Sequence, residues 1–85
     1  MLEEGKLIRY RLKERIADLE FHEDRRITLD EIAEKTGVSR PTLSRIANVR
    51  GYSTTTDILD RLCTFFECRL EQLAEYLPPE NQEIN

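Results

Sequence analysis

Residues 28–46, TLDEIAEKTGVSRPTLSRI, predict two short helices that meet at one glycine turn. Thr28, followed three residues later by a glutamate, has the pattern of a capping box at a helix N-terminus. Gly37 can end that helix because it takes a positive φ without steric cost. Ser39 then offers a hydroxyl N-cap for a second helix, and the proline two residues on is tolerated in a first helical turn.

Small and apolar residues stand where two crossing helices need them. Ala33 allows a close crossing, Val38 fills the turn, and Leu43 and Ile46 point the second helix at a core. Two amphipathic helices joined only for packing would also need the leucine and isoleucine, but not this placement of alanine, glycine and valine. The spacing therefore favours a helix-turn-helix of the DNA-binding type.

The segment before this motif predicts a first helix, with one alternative for how it begins. Ile8, Leu12, Ile16 and Leu19 are spaced by four, four and three residues, which places them on one helix face. Residues 8–13 also alternate apolar and basic side chains, which is the period of a strand, so residues 7–11 could start extended. The chain could thus begin with a short extended segment instead.

Two more helices are predicted after the motif. Thr54 is expected to cap the fourth helix, with Asp57 as its N3 partner and a broad apolar stripe beyond. The apolar positions of residues 70–77 predict a fifth helix, which two prolines stop. The expected fold is an all-α, compact five-helix domain over residues 1–77, followed by a polar, disordered tail over residues 78–85.

Composition argues against several function classes. No apolar run is long enough for a membrane span, and the N-terminus lacks a signal-peptide pattern. Cys63 and Cys68 have neither a zinc-ligand nor a CxxC spacing, and we expect Cys63 to be a packing residue. His22 has no Ser or Cys nucleophile nearby. We therefore expect a reduced, cytoplasmic protein that is no enzyme and uses no cofactor or metal.

The charge is distributed unevenly along the chain. The formal net charge is −4, which argues against a nucleic-acid partner when taken as a total. Residues 37–56, however, hold three arginines and no acidic residue, whereas residues 57–85 carry a net charge of −5. Many hydroxyl side chains accompany the arginines, and such groups suit phosphate oxygens. The positive middle segment is therefore expected to face a duplex, with the acidic C-terminal part pointing away.

The segment 28–48 resembles the helix-turn-helix regulators of the Cro and lambda-repressor type, the XRE family, and residues 58–76 are similar to that family's fourth and fifth helices. The resemblance implies a lambda-repressor-like, five-helix domain that binds double-stranded DNA, in a prokaryotic cytosol or nucleoid or encoded by a phage. It implies that the start of the third helix reads base edges, where this chain has Arg40, Pro41, Thr42, Ser44 and Arg45. It also implies phosphate contacts from the start of helix two and the loop after helix three, at Thr28, Asn48, Arg50, Tyr52 and Ser53, to which the hydroxyl of Ser39 is added.

The chain departs from the family pattern at two helix ends. Leu29 stands where many members have a glutamine, so we expect it to pack rather than bind a phosphate. Glu67 stands where many members have a glycine that closes helix four, which predicts a strained turn at Glu67 or Cys68. Arg25 and Arg26 directly precede helix two, whose amides favour anions, so they could share a phosphate with it.

These features predict a sequence-specific transcription regulator, expected to be a repressor. Arg45, with Thr42 and Ser44, is expected to read bases, whereas Arg40 could serve a base or a phosphate. A homodimer is expected, through Leu73, Tyr76, Leu77 and Ile84, or through the residue 7–12 segment if it is extended. The alternative is a protein-interaction module on the same fold, an antitoxin or adaptor whose acidic C-terminal part meets a partner protein.

Overall fold

The computed structural model describes residues 7–78, which form five helices and a two-stranded sheet. In chain order the elements are β1 (Ile8–Tyr10), α1 (Leu12–Glu23), α2 (Leu29–Thr36), α3 (Arg40–Asn48), α4 (Thr56–Phe66), α5 (Leu70–Leu73) and β2 (Ala74–Tyr76). The predicted five-helix architecture is confirmed, with a small sheet added to it. The predicted disordered tail lies outside the described residues except for its first residue.

The sheet corrects the two ends of the predicted helical pattern. β1 pairs antiparallel with β2, with Arg9 opposite Glu75, so the extended alternative for the first residues is confirmed. The predicted fifth helix is wrong beyond Leu73, because the next three residues are extended. Arg11 strengthens this pairing by donating from Nη2 to Oε1 of Glu75, at 2.6 Å. The apolar pattern of residues 70–77 did not reveal a strand because its partner lies more than sixty residues earlier in the chain.

The break between α1 and α2 is ordered by one side chain. Glu20 of α1 accepts a hydrogen bond from the backbone N–H of Ile27 at 2.9 Å. Ile27 is buried in the core, although no periodic pattern marked it. The chain leaves α1 through Asp24, which has a left-handed conformation with φ of 53°. This connection fixes where α2 begins.

The predicted capping of α2 is only partly observed. Thr28 caps α2 by accepting from the N–H of Glu31 at 3.1 Å, as predicted. The reciprocal half of the capping box is replaced, because the Glu31 carboxylate binds Arg25 with both oxygens, at 2.9 and 2.8 Å. Gly37 ends α2 with a φ of 81°, and Leu29 packs against the core as expected.

The start of α4 differs from the prediction by one residue. Thr55, not Thr54, caps the helix by accepting from the N–H of Ile58 at 3.1 Å. Three successive threonines offer equivalent hydroxyls to a sequence pattern. The position of α4 is set instead by packing, since Leu62 is completely buried. Asp57 is therefore the second residue of α4 rather than the third, and it pairs with Arg61.

The end of α4 confirms the predicted strained turn. Glu67 is left-handed with a φ of 54°, and the N–H of Cys68 donates to the carbonyl of Cys63 at 3.0 Å. This is the hydrogen-bond pattern of a Schellman motif, which brings the residues at its two ends into contact. Burial raises the pKa of the Cys63 thiol, and the neighbouring Cys68 raises it further. Cys63 packs against the core, as predicted.

One hydrophobic core joins these elements. Its buried apolar residues come from α1 to α5 and from the turns beside α2, namely Leu12, Ile27, Ile32, Val38, Leu43, Ile46, Leu62 and Leu73. Two of them, Leu43 and Ile46, belong to α3 and lie three residues apart, so they occupy one side of that helix. The opposite side of α3 is thereby left at the surface.

Candidate nucleic-acid interface

The exposed side of α3 carries the residues predicted to read bases. Arg40, Pro41 and Arg45 are exposed, and Thr42 and Ser44 are half-buried. All five lie on one helix that the core holds in place through Leu43 and Ile46. The two arginines are five residues apart and so point in directions that differ by roughly 140°. They cannot make equivalent contacts with a duplex.

Local hydrogen bonds order the polar groups of α3 at both of its ends. Ser39 caps the helix by accepting from the N–H of Thr42 at 3.3 Å, and its hydroxyl also donates to Oγ1 of Thr42 at 2.9 Å. At the other end, Nδ2 of Asn48 donates to the carbonyl of Ser44 at 2.9 Å. These side chains are therefore held in defined orientations before any ligand arrives.

Most of the phosphate candidates lie at the surface on either side of α3. Thr28, Ser39, Asn48, Arg50 and Ser53 are all exposed. The cap bond of Thr28 uses only its acceptor capacity, so its hydroxyl hydrogen can still be donated. Tyr52 differs because it is half-buried and packs against the core. Burial raises the pKa of Tyr10, and Tyr52 raises it further.

Two acidic residues in the first turn of α2 each hold an arginine. Glu31 binds Arg25 through both of its oxygens, which raises the pKa of Arg25 and lowers that of Glu31. Asp30 forms an ion pair with Arg40, with 2.9 Å between Oδ1 and Nε. Of the two arginines predicted to share a phosphate with α2, Arg25 is thus occupied by carboxylates.

Other arginines of this surface are unpaired in the described part of the chain. Arg26, Arg45 and Arg50 form no ion pair with any residue between 7 and 78. Arg45 and Arg50 belong to the segment that has no acidic residue of its own. The uncompensated positive charge of the motif is therefore located at the middle of α3 and in the loop that follows it.

Sequence reasoning missed two side chains that shape this region. No sequence pattern assigns a role to Asp30 or to Arg61. Arg61 donates from Nη1 to the carbonyl of Thr36 at 2.9 Å, which ties α4 to the end of α2. Asp30 lies in the first turn of α2, as Arg40 lies in the first turn of α3, and the sequence shows both positions. Only the crossing of the two helices brings the two side chains together.

The two short helices, the glycine turn between them and the exposed side of α3 define a helix-turn-helix DNA-binding domain. The family model of the Cro/C1-type HTH DNA-binding domain matches residues 19–79, and the chain belongs to this family. The resemblance inferred from residues 28–48 is thereby confirmed. No curated protein and no solved structure is a significant match to the chain. The chain is accordingly a DNA-binding regulator whose partner is double-stranded DNA, in a family that is typically non-enzymatic.

Two other features of residues 7–78 bear on membrane and metal binding. No helix there combines the length and the hydropathy needed to cross a bilayer. Within the same residues, no group of three or more His, Cys, Asp or Glu side chains is arranged to hold a metal ion.

Proposed function

We propose that the protein is a sequence-specific regulator that inserts α3 into the major groove and represses transcription by occluding its site. The observation that carries this proposal is the two-sided character of α3. Leu43 and Ile46 bury one side almost completely, whereas the other side exposes arginines and hydroxyls without an acidic residue. A helix held in this way presents a rigid, positively charged surface of the size that a major groove admits.

Arg45 is proposed as a base-reading residue. Its guanidinium is exposed and forms no ion pair with residues 7–78, so its donors are available. An arginine that donates to O6 and N7 of guanine contributes about 1–3 kcal/mol of discrimination. Thr42 and Ser44 would line the same groove, with the Thr42 hydroxyl oriented by Ser39.

The phosphate contacts are proposed for the surface groups that flank α3. Thr28 at the start of α2 and Ser39 at the start of α3 are exposed caps, and helix N-termini favour anions. On the other side of the groove, the DNA phosphates would be bound by Asn48, Arg50 and Ser53, which are exposed. The inward packing of Tyr52 makes it the weakest of the candidates.

A homodimer is proposed because one helix-turn-helix reads only one major groove. Leu73 cannot contribute to the contact as expected, since it is completely buried in the core. Tyr76 is 54% exposed on β2, and each of the two strands has one edge that pairs with no other strand within residues 7–78. Ile84 lies outside the described residues. Acting on a chromosome, such a dimer would work in the prokaryotic cytosol or nucleoid.

Selection of bound duplexes from a random pool tests the proposed function. We expect a recovered motif with two-fold-related half-sites about one helical turn apart, and binding that weakens steeply as salt rises. Arg45→Ala should lose the base preference at one position in each half-site. Arg69→Ala is the matched control, because it removes an exposed arginine from the acidic part of the chain.

Two results would contradict the proposal. One is recovery of no motif, and the other is an affinity that salt does not change. Co-purification of a second chain together with absence of duplex binding would instead favour the protein-interaction module. The support for that alternative is the net negative charge of residues 57–85, which could face a basic partner protein.

A further inference from the structure

The ion pair between Asp30 and Arg40 connects the first turns of the two motif helices. Asp30 is the second residue of α2, and Arg40 is the first residue of α3. The contact joins Oδ1 of Asp30 to Nε of Arg40 at 2.9 Å, and both side chains are largely exposed. It therefore lies at the surface that the proposed function assigns to DNA.

The contact with Asp30 leaves the two Nη groups of the Arg40 guanidinium available for a ligand. The contact given for the pair joins Nε of Arg40 to Oδ1 of Asp30, and neither Nη atom donates a hydrogen bond within residues 7–78. A guanidinium carries five N–H donors in a fixed plane, so it can be held at Nε while its Nη donors face outward. Two donors facing outward in that way fit O6 and N7 of guanine.

The neighbouring pair in the same turn shows a different arrangement. Glu31 engages the Nη atoms of Arg25, while Glu23 engages its Nε, so every nitrogen of that guanidinium is occupied. Arg25 is thus committed to the protein, whereas Arg40 forms an ion pair at Nε and donates no hydrogen bond from either Nη atom within residues 7–78. Of the two arginines, Arg40 alone keeps the donors that a base requires.

We infer that Asp30 is a positioning residue that orients Arg40 to read a guanine, and that it opposes binding to DNA of any other sequence. This inference rests on the proposed function of α3. Orienting a long side chain before docking reduces the rotamer freedom that is lost on binding. The carboxylate also cancels the charge of Arg40, so the pair attracts the phosphates of an arbitrary sequence less than a free arginine would.

Arg40 accordingly contributes differently from the unpaired arginines. Paired with Asp30, it adds no net charge to the surface, so it supplies little of the attraction that is independent of sequence. Arg45 and Arg50 supply that attraction, since neither is paired within residues 7–78. The pair of Asp30 and Arg40 therefore acts on specificity more than on affinity.

The test repeats the selection from a random duplex pool with Asp30→Ala, Arg40→Ala and a control. Glu34→Ala is the matched control, because Glu34 is exposed one turn further along α2 and has no ion pair in the described chain. We expect Asp30→Ala and Arg40→Ala to lose preference at the same base position, by about tenfold. Asp30→Ala should also bind unrelated duplexes more tightly than wild type, and Glu34→Ala should keep the wild-type base preference.

The outcomes separate this inference from the proposed function. If wild type selects a motif and Arg40→Ala alone loses a base preference, Asp30 does not position Arg40. If Arg40→Ala keeps every base preference, Arg40 does not read a base. If Glu34→Ala loses the same base preference as Asp30→Ala, the loss comes from the change in net charge and not from the position of Asp30. Selection of no motif by wild type would overturn the proposed function and this inference with it. Asp30→Asn, which keeps the side-chain shape, repeats the test if thermal unfolding shows that Asp30→Ala is poorly folded.

Discussion

Gly37 is the residue on which the turn between α2 and α3 depends. Its φ of 81° is in the left-handed region, and a Cβ there would lie 2.9 Å from Nη1 of Arg61. That nitrogen is the atom that donates to the carbonyl of Thr36, so the side chain would disturb a contact between α4 and α2. The turn thus needs glycine for its backbone angle, and a side chain at this position would also force the flexible end of Arg61 to move.

We predict that Gly37→Ala lowers the free energy of unfolding by about 1–2 kcal/mol, the cost of a left-handed conformation for a residue with a Cβ. Any further loss reports on the displaced Arg61. Urea unfolding followed by circular dichroism measures both. An unchanged midpoint would contradict the role assigned to this glycine.

Gly51→Ala is the control for the backbone cost alone. Gly51 has a φ of 69°, but the nearest atom to a Cβ there is 3.8 Å away, in Leu7. We expect Gly51→Ala to be less destabilising than Gly37→Ala. Equal losses for the two variants would show that the contact of Arg61 with Thr36 contributes nothing measurable.

At the scale of elements, the sheet ties the two ends of the described chain together through charged side chains. Glu75 of β2 contacts Arg11 at 2.6 Å and Arg9 at 3.3 Å. The hydrogen bond from Arg11 holds the pKa of Glu75 below its usual value of 4.5. Arg25 has the same effect on the pKa of Glu31 at the start of α2.

We predict that these two carboxylates make stability fall in acid. Their pKa values are lower in the folded chain, so their contribution is present above the unfolded value of 4.5 and is lost as pH falls through the folded values. Thermal unfolding measured between about pH 6 and pH 3 should show this loss.

Glu75→Gln isolates the share of the sheet in that acid dependence. We expect its stability to change less with pH than that of wild type, because the titrating group has been removed. Glu34→Gln is the matched control, since Glu34 is exposed and pairs with no residue between 7 and 78. An acid profile of Glu75→Gln identical to wild type would show that Glu75 does not contribute to it.

At the scale of the whole molecule, opposite charges are separated along the chain. The segment 37–56 holds only positive charges, and residues 57–85 are strongly acidic, within a total of −4. An overall negative charge reduces binding to arbitrary polyanions, while the positive segment sets the orientation of docking. The total charge is therefore a poor guide to the partner of this protein.

We predict that Arg50→Ala reduces the slope of log affinity against log salt concentration by about one per protomer, and so by about two for the proposed dimer, since each protomer loses one phosphate contact. The affinity for all duplexes should fall alike, because a phosphate contact carries no sequence information. Fluorescence anisotropy at several salt concentrations measures the slope. Arg69→Ala changes the net charge equally on the acidic part of the chain and should leave the slope unchanged.

The sequence alone was sufficient for the helix-turn-helix because the signals that define it are local. The cap at Thr28, the glycine at position 37 and the spacing of Leu43 and Ile46 all act within one or two helical turns. Such signals depend on backbone geometry and on the period of a helix, which neighbouring residues determine. The strained turn at Glu67 was predicted instead from the family resemblance, because many members have a glycine at that position.

Only the tertiary structure determined the features that join distant parts of the chain. The pairing of β1 with β2, the choice of Thr55 over Thr54 and the burial of Ile27 depend on packing between elements. The contact of Asp30 with Arg40 likewise depends on how α2 crosses α3. The sequence placed the arginines on α3. Which of their donors stay free depends on the carboxylates that the fold brings near them, because ion pairs form between groups that are close in space, whatever their separation along the chain.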